Sequence, residues 1–412
     1  MTVKSAPRHA EMRQFSQRDN ELIVGDLSLS TLAARVGSTP FYAYDRALVE
    51  ARVATFRQLM PASLQLHYAV KANPMPAVIQ CLAGLTDGLD VASAGEMQLA
   101  LDCGLAPERI SFAGPGKSDS ELRRAAAAGV VINLESEGEL RRLAVLAEEL
   151  GCNPKVAVRV NPAFELKASG MQMGGGPKPF GVDQERVPAM LEELGQIGLD
   201  FQGFHIFSGS QNLRAEAIIE SQNKTLELAI NLAEYAPSKL RTLNIGGGLG
   251  VPYFPGELPL ELDRIAENLD QLIALAKSAL PGTELIMELG RYLVAEAGIY
   301  VAEVIDRKES RGTTYLVTNG GLHHHLAASG NFGQVIRKNY PVCLGNRLAS
   351  EELEEVTIVG PLCTPLDILA SKVILPKAQP GDLVVVYQSG AYGYSASPHL
   401  FLGHPAPQQV LV

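Results

Sequence analysis

One lysine follows directly on a strongly apolar stretch of the kind that forms buried β-strands. The predicted strand 65–70 ends at Lys71, and the following Asn73-Pro74 predicts a turn. A lysine at the end of a buried strand can lose its hydration, and its amine then becomes reactive toward a carbonyl group. Most lysines are instead solvated surface groups. The position of Lys71 therefore suggests chemistry that other residues must support.

Further polar and aromatic residues follow other predicted strands in the same way. They stand at or just beyond the ends of the second, fifth, sixth and eighth strands: Asp90 and Ser93, Arg159 and Asn161, His205 and Phe207, and Glu288 with Gly290 and Arg291. In a parallel barrel the active site forms where the carboxyl ends of the strands meet. These side chains are therefore expected to share one site with Lys71.

A glycine run follows the seventh predicted strand. Within Asn244–Gly250, the consecutive Gly246, Gly247 and Gly248 present backbone N–H groups without a Cβ in the way, which suits a phosphate. Barrels frequently bind phosphate after strands seven and eight, and Arg291 adds a charged donor. A glycine-rich turn without a ligand is the alternative.

A reactive lysine and a phosphate site in one barrel mouth predict pyridoxal 5′-phosphate as the cofactor. This cofactor needs a lysine for its Schiff base and a protein partner at its ring nitrogen. Glu288 suits the second role because a carboxylate keeps the pyridine nitrogen protonated. A purely structural ion pair between Glu288 and Arg291 is the alternative. The remaining predicted cofactor contacts are Asp90, Arg159, His205, Phe207 and Gly290.

The elements that must position these residues alternate between strands and helices. Eight short apolar runs are predicted as strands: 65–70, 88–92, 110–113, 130–134, 155–160, 202–207, 242–246 and 284–288. Ser118 and Ser136 are predicted to start helices that end at Gly129 and Gly151. Eight strands, each followed by a helix, are what a closed (β/α)8 TIM barrel requires. An open doubly wound sheet is the competing arrangement.

Beyond residue 290 the pattern changes to strands without intervening helices. These segments are 298–308, 313–318, 354–360, 372–375 and 382–388, and a strand-like stretch at 40–44 is expected to join them. The predicted fold class is thus α/β, with a TIM barrel and a C-terminal β-domain. We expect three regions: residues 1–45 as an N-terminal segment joining the β-domain, 46–290 as the barrel, and 291–412 as a sandwich- or barrel-like β-domain.

Composition limits the classes of function. The 412 residues include 35 basic and 45 acidic side chains, and the net charge of −10 disfavours nucleic acid and anionic membrane surfaces as partners. No apolar segment has the character of a signal peptide or a membrane-spanning helix. The five cysteines form no CxxC pair. The sequence predicts a soluble, cytoplasmic protein with reduced thiols.

Six motifs together resemble the fold-type III pyridoxal-phosphate-dependent decarboxylases, the group that contains diaminopimelate and ornithine decarboxylases. They occur in order along the chain: Tyr68–Asn73, Asp90–Glu96, Gly246–Gly250, Glu288–Arg291, Gly360–Cys363 and Gly390–Gly393. The resemblance implies an alanine-racemase-like barrel with a C-terminal β-domain, and pyridoxal 5′-phosphate as the cofactor.

The resemblance also implies roles for individual residues. Lys71 would bind the cofactor as a Schiff base and Glu288 would meet its ring nitrogen. Tyr392 would lie near the phosphate with the glycine run and Arg291. Cys363 would enter the active site from the partner subunit and act at Cα, so a homodimer with shared active sites is expected. For Cys363 the alternative is a buried small apolar residue.

Three departures from the family pattern concern the substrate and the cofactor ring. In diaminopimelate and ornithine decarboxylases an acidic residue follows the cysteine and meets the distal ammonium of the substrate, whereas this chain has Thr364. The family's ring-stacking histidine aligns with Phe207, and His205 lies two residues earlier on the same side of the strand. The family's Lys-Phe-Gly becomes Pro179–Gly181.

The nearest resemblance is to exosortase-system-associated decarboxylases and to a decarboxylase of carrier-protein-bound glutamate in butirosin biosynthesis. The shared stretches are Gly321–His325, Gly360–Pro365, Ser389–Gly393 and Gly403–Pro405. Three adjacent histidines do not favour a metal site, because neighbours on an extended chain point to opposite faces. Hydrogen bonding to the substrate or loop packing is expected for them instead. The candidate substrate contacts are Thr364, Asp367, His324 and Arg337. Arg337 and Lys338 could meet the phosphate of a carrier arm, and a solvated basic pair is the alternative.

These observations predict decarboxylation of an α-amino acid or a carrier-linked aminoacyl substrate with pyridoxal phosphate. An amino-acid racemase on the same fold is the first alternative, and a catalytically inactive regulatory homologue is the second. The presence of Lys71, Glu288 and Cys363 favours an active decarboxylase.

Overall fold

The computed structural model describes residues 7–167 and 170–412 and contains two compact units. The first unit comprises residues up to Ala51, Pro252–Pro259 and Leu293–Val412. The second comprises Arg52–Val251 and Leu260–Tyr292. Within the described ranges, no helix is long and apolar enough to cross a membrane.

The first unit begins with a small antiparallel sheet and a capped helix. Its elements, with the helix that leads into the second unit, are β1 (Gln17–Arg18), β2 (Glu21–Val24), β3 (Leu27–Ser28), α1 (Leu29–Val36), β4 (Phe41–Tyr44) and α2 (Arg46–Leu59). The Ser28 side chain accepts a hydrogen bond from the backbone N–H of Thr31, and Gly37 ends α1 with a left-handed φ of 83°. The strand predicted at 40–44 is confirmed as β4, Phe41–Tyr44.

The second unit alternates strands and helices. In chain order these elements are β5 (Gln65–Ala69), α3 (Pro76–Ala83), β6 (Gly88–Val91), α4 (Ala94–Asp102), β7 (Ile110–Phe112), α5 (Asp119–Ala128), β8 (Val131–Leu134), α6 (Glu137–Leu150), β9 (Lys155–Asn161), β10 (Met171–Gln172), β11 (Val182–Asp183), α7 (Val187–Ile197), β12 (Asp200–Ile206), β13 (Gly209–Ser210), α8 (Ala215–Ala233), β14 (Thr242–Gly247), α9 (Leu262–Ala279), β15 (Glu284–Leu289) and α10 (Arg291–Val294).

Eight of these strands close into a parallel barrel. Their order around the sheet is β5, β6, β7, β8, β9, β12, β14 and β15. Two pairings close the barrel. Strand β8 pairs with β9, where Asn133 lies opposite Ala157, and β15 pairs with β5, where Glu288 lies opposite His67. The closed barrel is confirmed and the open doubly wound sheet is excluded, because an open sheet would leave two of these edges unpaired.

Local sequence signals set the helix ends of the barrel. Ser118 caps α5 and forms a capping box with Glu121, whereas Ser136 caps α6 by accepting from the N–H of Glu139. Gly129 and Gly151 end these helices with φ values of 80° and 62°, a left-handed backbone that glycine adopts without strain. The predicted starts and stops are confirmed.

The C-terminal part of the first unit is built from strands. They are β16 (Gly298–Ser310), β17 (Thr313–Thr318), β18 (Val342–Leu344), β19 (Leu353–Val359), β20 (Ile368–Pro376), β21 (Leu383–Val386) and β22 (Gln408–Leu411). They pair in the order β18-β21-β16-β17-β19-β20, while β4 lies between β16 and β22. The sequence analysis missed β18 and β22, because both are short and are completed by pairing with β21 and β4 from distant parts of the chain.

Candidate active site

Lys71 and Glu288 meet at the mouth of the barrel. Lys71 stands in a 3₁₀ turn, Val70–Ala72, that begins where β5 ends, and Glu288 lies near the end of β15. The Lys71 Nζ is 3.4 Å from Oε1 of Glu288 and 5.7 Å from the ring of Phe207. Because β5 and β15 are neighbouring parallel strands, the barrel itself brings the lysine and the carboxylate together.

Glu288 is buried and has a histidine on its other side. Nε2 of His205 lies 3.2 Å from Oε2 of Glu288, close enough for electrostatic attraction, although the pair lacks the alignment of a hydrogen bond. Burial raises the pKa of Glu288, but Lys71, His205 and Arg159 together outweigh burial and hold the pKa well below its usual value. Glu288 is therefore a carboxylate at neutral pH.

Glu135 is a residue of this mouth that the sequence analysis missed. Its Oε1 is 2.8 Å from Nη1 of Arg159, and both side chains are buried. The same carboxylate accepts hydrogen bonds from the backbone N–H groups of Gly114 and Gly181, so it joins the ends of three barrel segments. The Arg159 guanidinium lies over the Phe180 ring at 5.2 Å. The sequence did contain a signal for Glu135, because this residue directly follows β8, just as Lys71 closely follows β5.

Burial raises the pKa of Glu135, but Arg159 and Lys117 and the backbone N–H of Gly114 together lower it below its ordinary value. The predicted cofactor residue Arg159 is thus held in place by an ionised carboxylate.

Asp90 stands beside a histidine that the sequence analysis did not single out. Nδ1 of His67 is 3.5 Å from Oδ2 of Asp90, and both side chains are buried. Among the described residues, neither carboxylate oxygen of Asp90 has a hydrogen-bond partner. The His67 ring fits here because Gly88 has no side chain; a Cβ on Gly88 would overlap that ring. A buried carboxylate without a donor is costly, so Asp90 is a residue of this mouth that can still accept a hydrogen bond.

The glycine run lies where neighbouring backbone leaves no space for side chains. Gly246 and Gly248 have left-handed φ values of 71° and 81°. A Cβ on Gly247 would overlap the carbonyl oxygen of Glu288, and one on Gly248 would lie 2.6 Å from the carbonyl oxygen of Gly209. The N–H of Gly246 donates to Oδ1 of Asn244 at 2.8 Å. The run is therefore a cradle of bare backbone at the ends of β14 and β15.

Gly290 and Arg291 follow β15 directly. A Cβ on Gly290 would be 3.0 Å from the Cβ of Ala72, so glycine lets this exit pack against the turn that carries Lys71. Arg291 begins the short helix α10. The structure therefore brings together Lys71, Asp90, Arg159, His205, Phe207, Gly246, Gly247, Gly248, Glu288, Gly290 and Arg291 within one unit.

The other predicted site residues belong to the first unit. Cys363 is exposed in the loop between β19 and β20. The neighbouring Thr364 is half-buried, and its Oγ1 accepts from the N–H of Leu366 at 3.3 Å. Tyr392 is half-buried with a left-handed φ of 53°, which is uncommon for a bulky side chain. The alternative of a buried, apolar Cys363 is wrong for this unit.

Asp367 and Arg337 hold loops in place. Asp367 accepts from the N–H groups of Leu322 and Leu362 at 2.6 and 2.8 Å. Arg337 donates from Nε to the carbonyl of Ser329 at 3.0 Å and from Nη2 to that of Ile368 at 2.6 Å. Substrate roles for both stay predictions, but the view of Arg337 as a solvated cation is wrong.

The three adjacent histidines pack inside the first unit. His324 donates from Nε2 to the carbonyl of Pro405 at 2.9 Å, and Nε2 of His325 lies 2.9 Å from Oγ of Ser389. The ring of His323 lies 3.6 Å from that of His324 and 4.9 Å from that of His404. Residues 322–324 form a turn, so the expectation of an extended chain is wrong. Loop packing accounts for these rings.

Burial keeps all three histidines neutral at neutral pH. It lowers the pKa of His323 to about 3, where His324 and His404 also contribute, and that of His324 to about 4. It lowers the pKa of His325 to about 3. In the described ranges, no group of three or more His, Cys, Asp or Glu side chains is arranged to hold a metal ion.

Comparison with known proteins gives a consistent picture. Residues 46–295 match the model of the pyridoxal-dependent decarboxylases, pyridoxal binding domain. The chain is 40% identical over 379 residues to the L-glutamyl-[BtrI acyl-carrier protein] decarboxylase of Niallia circulans, covering 90% of this chain and 88% of that protein. It is 32% identical to the 2-[(L-alanin-3-ylcarbamoyl)methyl]-2-hydroxybutanedioate decarboxylase of Staphylococcus aureus, covering 89% and 92%.

Solved structures agree with this likeness. The diaminopimelate decarboxylase of M. jannaschii in co-complex with L-lysine superposes with a TM-score of 0.88 at 25% identity, covering 97% of this chain and 93% of that one. The diaminopimelate decarboxylase of Helicobacter pylori complexed with L-lysine gives a TM-score of 0.82 at 27% identity, covering 93% and 94%.

The barrel mouth fits pyridoxal phosphate chemically. The cofactor requires an amine for its aldehyde, an ionised partner for its ring nitrogen, and donors for its phosphate. Lys71 supplies the amine, and Glu288 is ionised and buried. The glycine run offers backbone that no Cβ obstructs.

Proposed function

Because this chain belongs to the pyridoxal-dependent decarboxylases, we propose that its substrate is an α-amino acid whose distal end is neutral or joined to a carrier protein. The protein is a pyridoxal-phosphate-dependent amino-acid decarboxylase, a carbon–carbon lyase. The observation that carries the substrate proposal is Thr364, an uncharged residue directly after Cys363.

Thr364 offers a hydroxyl where a free distal ammonium needs a carboxylate. Leaving a charge unpaired in a partly buried site costs about 2–5 kcal/mol, which disfavours free lysine, ornithine and diaminopimelate. Two similar decarboxylases are named for substrates with an acyl link, an L-glutamyl group on a carrier protein and an alanine attached through a carbamoyl group. A glutamyl substrate must be linked through its side-chain carboxyl, because the α-carboxylate has to be free to leave.

The barrel residues have distinct proposed tasks. The Lys71 amine would hold the cofactor covalently and release it to the substrate amine. Glu288 would keep the ring nitrogen protonated, and the glycine run and Arg291 would bind the phosphate. A contact of Tyr392 with the phosphate stays a prediction. Asp90, Arg159, His205 and Phe207 would orient the ring. Pyridoxal phosphate, when bound, withdraws the electrons that the departing carboxylate leaves at Cα.

Decarboxylation releases one CO₂ and takes up one proton at Cα. We assign this proton to the thiol of Cys363 from the partner subunit, which is a general acid on an exposed loop. Support for a dimer comes from exposed apolar side chains of the first unit: Val335, Ile336 and Leu366 are 100%, 76% and 58% exposed. Leu366 lies in the loop of Cys363, and Arg337, next to Ile336, bonds to the carbonyl of Ile368 just beyond that loop. Apolar groups exposed together in this way are typical of protein interfaces.

The decisive experiment is mass spectrometry on a glutamyl carrier protein, with free diaminopimelate and lysine in parallel. Loss of CO₂ from the carrier-linked substrate supports the proposal, and efficient turnover of the free basic amino acids contradicts it. Recovery of a D-amino acid without loss of CO₂ would identify a racemase. The cytoplasmic location remains a prediction that cell fractionation would test.

The shared active site is tested by mixing two inactive variants. Lys71→Ala and Cys363→Ala homodimers should each be slow, but subunit exchange creates heterodimers with one intact composite site. Partial recovery of activity supports sharing between subunits. A fully exchanged mixture without recovery contradicts it.

A further inference from the structure

Asp367 joins the two loops of the first unit that carry the cysteine and the histidine motifs. Its Oδ2 accepts from the N–H of Leu362, next to Cys363, at 2.8 Å. Its Oδ1 accepts from the N–H of Leu322, next to His323, at 2.6 Å. The side chain is only 2% exposed. One buried carboxylate thus fixes one amide in each loop, and charge-assisted bonds of this kind are among the stronger ones in proteins.

The backbone around this carboxylate is built to admit it. A Cβ on Gly321 would overlap Oδ1 of Asp367, and a Cβ on Gly360 would overlap Oδ2 and lie 2.6 Å from the Cα of Gly321. The two loops therefore approach each other as bare backbone, with the carboxylate between them.

The loop that carries Cys363 has further bonds back to the same residue. The N–H of Gly360 donates to the carbonyl of Asp367 at 3.1 Å, and the N–H of Asp367 donates to the carbonyl of Thr364 at 3.3 Å. Both backbone and side chain of Asp367 thus close the segment 360–367 into one compact turn. Cys363 itself is exposed, so its direction depends on this turn rather than on packing of its own side chain.

We propose that Asp367 is a positioning residue that aims the Cys363 thiol, rather than a residue that contacts the substrate. This inference rests on the proposed role of Cys363 as the proton donor at Cα. A donor on an exposed loop delivers its proton to one face only if the loop is held, and misplacement by about 1 Å can cost about a hundredfold in rate.

The test is the stereochemistry of protonation in D₂O with the intact holoenzyme. The product then carries one hydrogen from the substrate and one deuterium from the solvent at Cα. The unaltered enzyme should give a single enantiomer, resolved by NMR after chiral derivatisation. Asp367→Asn keeps the size but loses one acceptor oxygen, so it should give a mixture of enantiomers and a kcat lower by about 10- to 100-fold, with KM little changed.

A double-variant cycle separates positioning from general damage. Asp367→Asn added to Cys363→Ala should cost no further rate, because the group that it aims is already absent. Asp382→Asn is the matched control: Asp382 is 3% exposed in the same unit and accepts from Asn346 and the N–H of Gln379. It should lower stability but keep a single enantiomer.

Three outcomes would overturn the proposal. One is a single enantiomer from folded Asp367→Asn, and another is a multiplicative loss of rate in the double variant. The third is a single enantiomer from Cys363→Ala alone, which would also remove Cys363 as the donor while leaving the substrate assignment intact. If Asp367→Asn does not fold, Asp367→Glu, which keeps the charge but moves the carboxylate by one methylene, is measured in its place.

Discussion

Arg159 and Glu135 form a buried ion pair at the barrel mouth, with Nη1 of the arginine 2.8 Å from Oε1 of the glutamate. The same glutamate binds the backbone after β7 and before β11 through Gly114 and Gly181. Removing it would leave a buried guanidinium and two backbone N–H groups without their acceptor. The pair therefore supports both the local fold and the orientation of Arg159.

We expect Glu135→Ala to lower the free energy of unfolding by about 3–5 kcal/mol, the usual cost of breaking a buried ion pair. It should also weaken cofactor binding because Arg159 loses its orientation. Chemical denaturation and titration with pyridoxal phosphate measure the two effects. Glu149→Ala removes an exposed partner of Arg123 and should cost less than about 1 kcal/mol; equal losses in both variants would contradict the structural role of Glu135.

Lys71→Ala should abolish covalent attachment of the cofactor. Borohydride reduction of the unaltered holoenzyme, followed by peptide mapping, should place the label on Lys71, because its amine lies at the barrel mouth together with Glu288, the proposed partner of the ring nitrogen. The control Lys224→Ala removes a lysine that is paired with Glu220 on α8 and should leave the label unchanged. A label on any other lysine would refute the assignment of the barrel mouth.

Thr364→Glu should move the substrate preference toward free basic amino acids. The new carboxylate would pair with a distal ammonium, and recovering about 2–5 kcal/mol corresponds to a gain of tens- to thousands-fold in kcat/KM for lysine or diaminopimelate. Thr364→Gln has nearly the same size without the charge and should show no such gain. A similar gain in both variants would mean that shape, and not charge, governs this position.

Stability should fall with acid because of the buried histidines. The folded-state pKa values of His323, His324 and His325 are about 3, 4 and 3, whereas an unfolded histidine titrates near 6.5. Between about pH 3 and 6.5 the unfolded chain binds more protons, so the free energy of unfolding decreases as the pH drops. One such histidine lowers the free energy of unfolding by about 2 kcal/mol as the pH falls from 6.5 to 5.

His323→Phe tests this dependence, because it keeps the ring packing and removes the titrating group. Its melting temperature should decline less steeply between pH 7 and 5 than that of the unaltered protein. Parallel declines would show that other groups control the acid response.

The sequence predicted the site residues best where they lie at the carboxyl ends of the barrel strands. Lys71 and Glu288 could be placed together because parallel strands of a barrel share one carboxyl edge, although 217 residues separate them. Glu135 had the same signal but no recognised motif around it. For Arg337 the sequence offered a carrier phosphate or solvent as partners, and it did not predict the carbonyls 8 and 31 residues away that its donors reach. Such contacts arise only from loop packing, which periodicity does not encode.

Gly247 lies opposite Glu288 on the neighbouring strand, and their backbones leave no room for even one methyl group. If Gly247 holds the phosphate and Glu288 the ring nitrogen, the cofactor must span a distance set by the spacing of these two strands and by the length of the Glu288 side chain. Adjacent strands lie about 4.8 Å apart, a spacing that side-chain substitutions do not alter. Adapting this barrel to a longer or shorter cofactor analogue would therefore require a side chain of another length at position 288, because the glycine run has no side chain that could be changed.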